Sequence, residues 1–344
     1  MKNTLPASLP DSALPALRAA LLAWYDAEHR PLPWRTEVSV YRTVVSEFMA
    51  QQTQIDTVLP YFDRWMRLFP SFEALAEASE EAVVKQWEGL GYYRRARNLH
   101  KLAKEVAAQA ALPSTAADWQ ALSGIGPYTA AAIASINFAE PIPVIDGNVI
   151  RVLSRLTANP TLWKSSQQAQ KELGPLATRL LDPQRPGDYN QAVMELGATR
   201  CRKARPDCLL CPLRTWCAAY AEGAPEAYPR VQRKATEKVT IDRAWAVQEG
   251  KLLLERGATD SVRLADMFEL PRLADLPKGA KQGALHFQKQ RGISNQRITE
   301  RVYRVTLPVE TALNGHLVWV SAEELERLAL SGPHRRWIGE YWGK

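Results

Sequence analysis

The chain has 344 residues, 46% of them apolar, and carries 44 Lys and Arg against 37 Asp and Glu for a net charge of +7. That length exceeds what one core comfortably fills, so two domains are expected, and the apolar content is enough to fill both. No stretch reaches the length of a membrane span and the N-terminal MKNTLPASLPDSALPAL has no uninterrupted apolar run, which argues against an anchored or exported protein and for a cytoplasmic one. Helical periodicity dominates the first two thirds. Leu14, Leu17, Leu21 and Tyr25 recur at helical spacing, followed by Val44, Val45, Phe48 and Met49, then by Val58, Phe62, Trp65 and Met66. Further helices are predicted around residues 80–88, 94–110, 115–122, 128–138, 148–157, 166–181 and 188–200. The segment 222–238, EGAPEAYPRVQRKATEK, mixes Pro, Gly and charge without periodicity and reads as a linker. Beyond it, residues 243–247 and 252–256 flank a Glu249-Gly250 turn, residues 298–307 and 317–320 alternate like strands, and 322–330 form a last helix. The expected architecture is a mainly α domain over 1–221, the linker 222–238, and a smaller α+β domain over 239–344.

All four cysteines fall in one loop, as Cys201-x6-Cys208-x2-Cys211-x5-Cys217. Two disulfides would need an oxidising compartment and usually a small chain short of core. Four thiolates also satisfy a closed zinc site, but zinc ribbons use two Cys-x2-Cys knuckles, whereas one such pair flanked by single cysteines suits a [4Fe-4S] cluster. Two basic groups stand out. Arg94, Arg95, Arg97, Lys101 and Lys104 crowd one segment, and Arg200, Arg202, Lys203 and Arg205 surround the first cysteine. Both are candidate phosphate contacts, with a solvated helix or loop face as the plainer reading of each.

Between two predicted helices lies Leu122-Ser123-Gly124-Ile125-Gly126-Pro127-Tyr128-Thr129. Gly124 and Gly126 let the backbone turn tightly and present N–H groups at the start of the next helix, where a phosphate can be held. This is a helix-hairpin-helix element, although Gly-x-Gly alone also serves ordinary helix connections. Some twenty residues on, Val144-Ile145-Asp146-Gly147-Asn148 forms an acidic turn that starts a helix. Asp146 or Asn148 can act simply as an N-cap there, or the carboxylate can face a developing cation. Glu47 interrupts an apolar helical set, and a glutamate desolvated in that way responds with a raised pKa suited to a general acid.

The ordered set Ser46-Glu47-x3-Gln51-Gln52-Thr53-Gln54, Gly89-Leu90-Gly91-Tyr92-Tyr93-x2-Ala96-Arg97-Asn98, the hairpin with Tyr128, Asp146-Gly147-Asn148 and the four-cysteine loop resembles adenine DNA glycosylases of the MutY family. The likeness runs from about Trp24 to Cys217. The resemblance implies removal of adenine mispaired with 8-oxoguanine (or guanine) in duplex DNA, the first step of base excision repair, by a nucleoid-associated monomer. It implies that Glu47 protonates adenine N7 and that Asp146 stabilises the oxocarbenium sugar, with Tyr128 and Asn148 in support. Gln52 and Tyr92 match positions that fill or wedge the base stack, and Cys201, Cys208, Cys211 and Cys217 match the cluster ligands. The chemistry agrees with those roles. Glycosidic cleavage uses one protonated and one ionised carboxyl group, and an apolar setting for Glu47 with a turn-exposed one for Asp146 separates them. A base inside a duplex must also be flipped out to be reached.

Related lyases of the endonuclease III type place a lysine where this chain has Tyr128. A phenol forms no Schiff base, so a monofunctional glycosylase without an efficient lyase step is expected. The C-terminal domain resembles the family's Nudix-like lesion reader, without a Nudix box. Its lesion loop reads Gly292-Ile293-Ser294-Asn295-Gln296-Arg297 where relatives commonly carry Phe-Ser-His. Ser294 and Asn295 are the candidate contacts to the lesion, and an ordinary strand-to-strand turn is the other reading. Two other functions fit parts of the sequence. A helix-hairpin-helix glycosylase of different base specificity fits most motifs, though the Tyr128 and Glu47 pair argues against it. A non-catalytic DNA-binding or electron-transfer protein fits the cysteines and the basic segments alone.

Overall fold

A computed structural model describes residues 9–232, 235–257, 267–293, 295–308, 313 and 315–342. The chain divides into two compact units, Met1–Phe48 with Glu105–Arg233 and Met49–Lys104 with Lys234–Lys344. Two of the three division points fall inside helices, Val40–Ala50 and Arg94–Ala107.

The first unit is helical apart from a short parallel pairing of Leu162–Trp163 with Arg230–Val231. Its helices follow the apolar spacing. Leu14, Leu17 and Leu21 on Leu14–Glu28 meet Val149, Ile150 and Leu153 on Gly147–Leu156, together with Leu173, Leu176 and Leu196 from the helices Ser166–Leu180 and Pro186–Thr199. Removing those stripes from water is the main force holding the helices together. A second, smaller cluster of Ala131, Ala132 and Val144 sits on the helix Pro127–Phe138. That helix packs closely on Pro186–Thr199, because a Cβ at Gly187 would lie 2.6 Å from Ser135 O. The segment read as a linker is fastened at its start. Arg155 Nε donates to Tyr228 O at 3.1 Å and Gln232 N donates to Trp163 O at 2.8 Å.

The second unit joins helices from residues 49–104 to the α+β region. In the latter, Glu237–Trp245 pairs in parallel with Gln296–Thr306, which pairs antiparallel with Lys281–Ile293. Lys251–Arg256 pairs with Val247–Gln248 across a turn in which Glu249 (φ 51°) and Gly250 (φ 74°) are both left-handed, the backbone a tight two-residue hairpin requires. It also pairs with Phe268–Glu269 and Leu317–Val320. Leu252, Leu254, Val302 and Val320 fill the core beneath Trp337 and Ile338 of the helix Gly332–Tyr341.

Residues 49–104, although read from sequence with the helical region 1–221, share a unit with C-terminal residues through specific polar contacts. Arg335 Nε meets Glu88 Oε1 at 2.6 Å, Lys85 Nζ donates to Leu328 O at 3.2 Å, and Tyr93 Oη donates to Leu330 O at 3.2 Å. No described helix is long and apolar enough to cross a membrane.

Candidate active site

The helix Val40–Ala50 buries Tyr41, Val44, Val45, Phe48 and Met49. Glu47 stands beside that stripe, half-buried as a residue while its carboxyl is enclosed by protein. Burial is the main cause that pushes the carboxyl up to about 7; a hydrogen bond from Tyr128 opposes it, the Asp146 charge adds to it, and the Arg35 charge opposes it. Tyr128 occupies the first turn of Pro127–Phe138, with Oη 3.3 Å from Met194 Sδ. Its phenol is held well above its ordinary value by burial, by the charges of Glu47 and Asp146, and by the Glu47 hydrogen bond, so it remains a neutral donor.

Asp146 is the N-cap of the helix Gly147–Leu156. Its Oδ1 accepts from Val149 N at 2.7 Å and its Oδ2 from Asn148 Nδ2 at 2.9 Å. The capping reading therefore describes its local geometry, and the electrostatic coupling to Glu47 and Tyr128 shows that the cap lies in the same site. Asp146 is more enclosed than a turn-exposed carboxylate. Burial raises its pKa, against the lowering by those hydrogen bonds and by the Arg151 charge. Asn148 is held from two sides: its Oδ1 accepts from Arg151 Nη2 at 2.9 Å, and a Cβ at Gly197 would lie 2.6 Å from Asn148 Cβ. The site thus unites Glu47, Tyr128, Asp146 and Asn148 as one acidic group with neutral donors between the carboxyls.

The hairpin before Tyr128 has the expected form. Gly124 has φ 77°, a conformation that suits glycine, and Ser123 N and Oγ donate to Glu105 at 2.8 and 2.6 Å. Gly126 caps the helix from an extended backbone, so the first-turn amides face outward from the helix N-terminus.

In the second unit, Gln52 and Tyr92 line a groove of about 2300 Å3 with Arg64, Arg291, Gln290 and Arg336. Both residues have left-handed backbones, φ 55° and 49°. Arg95, read from sequence among the phosphate contacts, is only 8% exposed, and its guanidinium faces main-chain carbonyls; Arg97 pairs with Glu80 at 2.7 Å. Asn295 Nδ2 donates to Ala235 O at 3.1 Å at the tip of the long hairpin, and Ser294 lies outside the described residues.

The four cysteines are free thiols, each partly buried, and Cys201, Cys211 and Cys217 pack against the helical core. Arg155 Nη1 lies 3.3 Å from Cys201 Sγ and donates to Arg202 O at 2.7 Å, and Nη2 donates to Lys203 O at 3.0 Å. Among the described residues, no three His, Cys, Asp or Glu side chains stand as a closed metal group. The thiols nonetheless lie close enough to interact electrostatically, and an all-sulfur donor set has the chemistry of a thiolate-bound cluster. Arg200 pairs with Glu28 and Asp207, whereas Arg202, Lys203 and Arg205 are solvent-facing.

Sequence reasoning missed Arg35, Met194 and Arg155, and it read Arg95 as a phosphate contact rather than as a main-chain clamp. Each approaches its target from a distant part of the chain or through main-chain atoms, so no local spacing marks it.

The family described as HhH-GPD superfamily base excision DNA repair protein matches residues 45–177. It is 47% identical over 219 residues to the adenine DNA glycosylase of Mus musculus, a match covering 60% of this chain and 42% of that protein. It is also 47% identical over 218 residues to the adenine DNA glycosylase of Homo sapiens, covering 59% and 39%. The adenine DNA glycosylase of Buchnera aphidicola subsp. Schizaphis graminum is 33% identical over 231 residues, with 66% and 65% covered. The chain therefore spans about two fifths of the mammalian relatives it matches. Among solved structures, a thermostable thymine-DNA glycosylase superposes with a TM-score of 0.55 at 23% identity, covering 62% of this chain and 98% of that one. A non-covalent endonuclease III–DNA complex gives 0.52 at 18%, covering 62% and 98%. These likenesses establish the helical glycosylase fold of the domain.

Proposed function

We propose that the chain is an adenine DNA glycosylase that hydrolyses the N-glycosidic bond of adenine mispaired with 8-oxoguanine or guanine in duplex DNA, initiating base excision repair. The observation that carries the reading is the convergence of Glu47, held near pKa 7, with neutral Tyr128 and helix-capping Asp146. At neutral pH Glu47 is available as an acid, while hydrogen bonds to both oxygens of Asp146 favour its charged form against the burial that raises its pKa.

The adenine is flipped from the stack and its N7 takes the Glu47 proton. The C1′–N9 bond then breaks with its electron pair moving to the base, and the cationic sugar faces the Asp146 carboxylate. Water adds to C1′ and returns a proton to Glu47. Tyr128 orients Glu47, and Asn148 orients Asp146. A phenol at position 128 provides no amine for a Schiff base, so the abasic strand is left intact.

On this reading the hairpin around Gly124 and Gly126 holds backbone phosphate, Gln52 and Tyr92 enter the stack, and Ser294 and Asn295 belong to a Nudix-like lesion-reading domain. Residues 1–221, 222–238 and 239–344 then serve as catalytic region, connector and reader, in a cytoplasmic monomer. The four cysteines would hold a [4Fe-4S] cluster, whose contribution is to close the loop that presents Arg202, Lys203 and Arg205 to phosphate.

The test is single-turnover cleavage of duplexes holding adenine opposite 8-oxoguanine, guanine or cytosine, with and without alkali. Excision confined to the first two, with strand breaks only after alkali, supports the proposal. Breaks without alkali, or excision of a different base, overturn it. Purified protein that is colourless, with zinc as its metal, overturns the cluster assignment.

A further inference from the structure

Two exposed side chains in the groove of the second unit, Gln52 and Tyr92, sit on backbones that non-glycine residues rarely adopt. Tyr92 is 50% exposed, so its own side-chain burial does little to hold it there. A left-handed residue is fixed when the peptide planes around it are fixed, and persists only where its surroundings over-determine it. The plane preceding Gln52 carries the carbonyl of Gln51; the plane preceding Tyr92 carries the carbonyl of Gly91.

One buried guanidinium reaches both. Arg95 Nη1 donates to Gln51 O at 2.5 Å and to Met49 O at 3.0 Å, and Nη2 lies 3.1 Å from Gly91 O, 3.1 Å from Leu90 O and 3.2 Å from Thr53 Oγ1. The same group lies 5.4 Å from the ring centroid of Tyr92 and 5.4 Å from that of Trp87, whose Nε1 in turn donates to Gly91 O at 3.1 Å. Arg95 N donates to Tyr92 O at 2.8 Å as well. The backbone before each left-handed residue and the face of the Tyr92 ring therefore share one side chain. A planar fork with five donors makes this possible; an ammonium with three cannot span the same acceptors.

We propose that Arg95 is a positioning residue that locks the Gln51–Thr53 and Leu90–Tyr92 turns in a fixed mutual geometry, so that Gln52 and Tyr92 enter the base stack as one preformed unit. The inference rests on the reading that these two residues engage DNA. Preformation means the duplex is opened without first ordering the loops, so loss of Arg95 slows base extrusion rather than the bond cleavage that follows.

The experiment is a double-mutant cycle with full-length protein. Arg95→Lys is combined with Gln52→Ala/Tyr92→Ala, and single-turnover excision of adenine opposite 8-oxoguanine is measured beside the fluorescence of a 2-aminopurine placed next to the mispair, which reports unstacking directly. Arg95→Lys is expected to lower the unstacking and excision rates by about tenfold in the parent and by less than about twofold in the Gln52→Ala/Tyr92→Ala background. An equal loss in both backgrounds overturns the proposal and makes Arg95 a general support. If Gln52→Ala/Tyr92→Ala itself leaves unstacking and excision unchanged, the reading of those two residues fails first, and the proposal with it. Should Arg95→Lys not fold, Thr53→Val removes one acceptor of the guanidinium and is expected to lower unstacking two- to fivefold; no change overturns the clamp.

Discussion

Replacing Glu47 with Gln tests the central electrostatic claim in two independent ways. The carboxyl stands at about 7 instead of 4.5. At pH 7 that shift raises its protonated fraction from roughly 0.3% to roughly half, about 150-fold more acid than an ordinary glutamate would supply. In the parent, kcat/KM is expected to fall about tenfold between pH 6 and pH 8 as this acid ionises, and Glu47→Gln is expected to abolish excision at every pH. Stability falls over the same pH range. The folded carboxyl binds its proton more tightly than the unfolded one, so its contribution is complete below about pH 4.5 and is lost as pH rises through about 7. Discounted for partial solvent access, the loss is about 1–3 kcal/mol, and Gln, which does not titrate, escapes it. Denaturant unfolding should show Glu47→Gln gaining on the parent between pH 5 and pH 8. A difference between the two proteins that is the same at both pH values, or excision that persists in Glu47→Gln, would refute the assignment of a buried acid.

Gly197→Ala drives a Cβ to within 2.6 Å of Asn148 Cβ; it is expected to destabilise by about 1–3 kcal/mol and to lower excision by displacing the partner of Asp146, as chemical unfolding and single-turnover rates would reveal. Cys208→Ser is expected to weaken duplex binding and to flatten the plot of log Kd against log salt by about two to three units, the contribution of Arg202, Lys203 and Arg205; an unchanged slope across a salt series contradicts a loop role in phosphate binding. In the C-terminal region, Arg243 joins buried Glu269 and Glu300 at 2.9 and 3.0 Å. Arg243→Met leaves Glu300 to Arg291 and Glu269 to Ser331 and should destabilise the second unit by about 1–3 kcal/mol, measured by limited proteolysis in denaturant, with little effect if the pair is solvated.

Much of this protein was legible in its chain. The apolar repeats located the helices Ser166–Leu180 and Pro186–Thr199 to within a residue or two, because burying one face of a helix imposes a period that sequence displays directly. The Glu249-Gly250 turn was legible for a similar local reason. Lys281–Ile293 was not, since its Gln, Lys and Arg residues have half-exposed neighbours and lack clean alternation; pairing with Gln296–Thr306 makes it a strand. The helix Gly332–Tyr341 was also missed, its ionic residues concealing the buried Trp337 and Ile338.

For the site, the residues themselves pointed to Glu47 and Asp146 as candidate carboxyls, and the family resemblance implied Tyr128 and Asn148 beside them. Their protonation did not follow from order. Asp146 reads as a turn-exposed cap in one dimension, and only packing shows it enclosed, where desolvation raises its pKa and that of Glu47, and the Asp146 charge adds to the rise at Glu47. Arg95 makes the same point from the other side. Written in a basic run it resembles a phosphate ligand, yet folding turns its guanidinium inward onto the Gln51 and Gly91 carbonyls. Composition and spacing fix which groups a chain owns; which of them meet water, charge or one another is set by contacts between residues far apart along it.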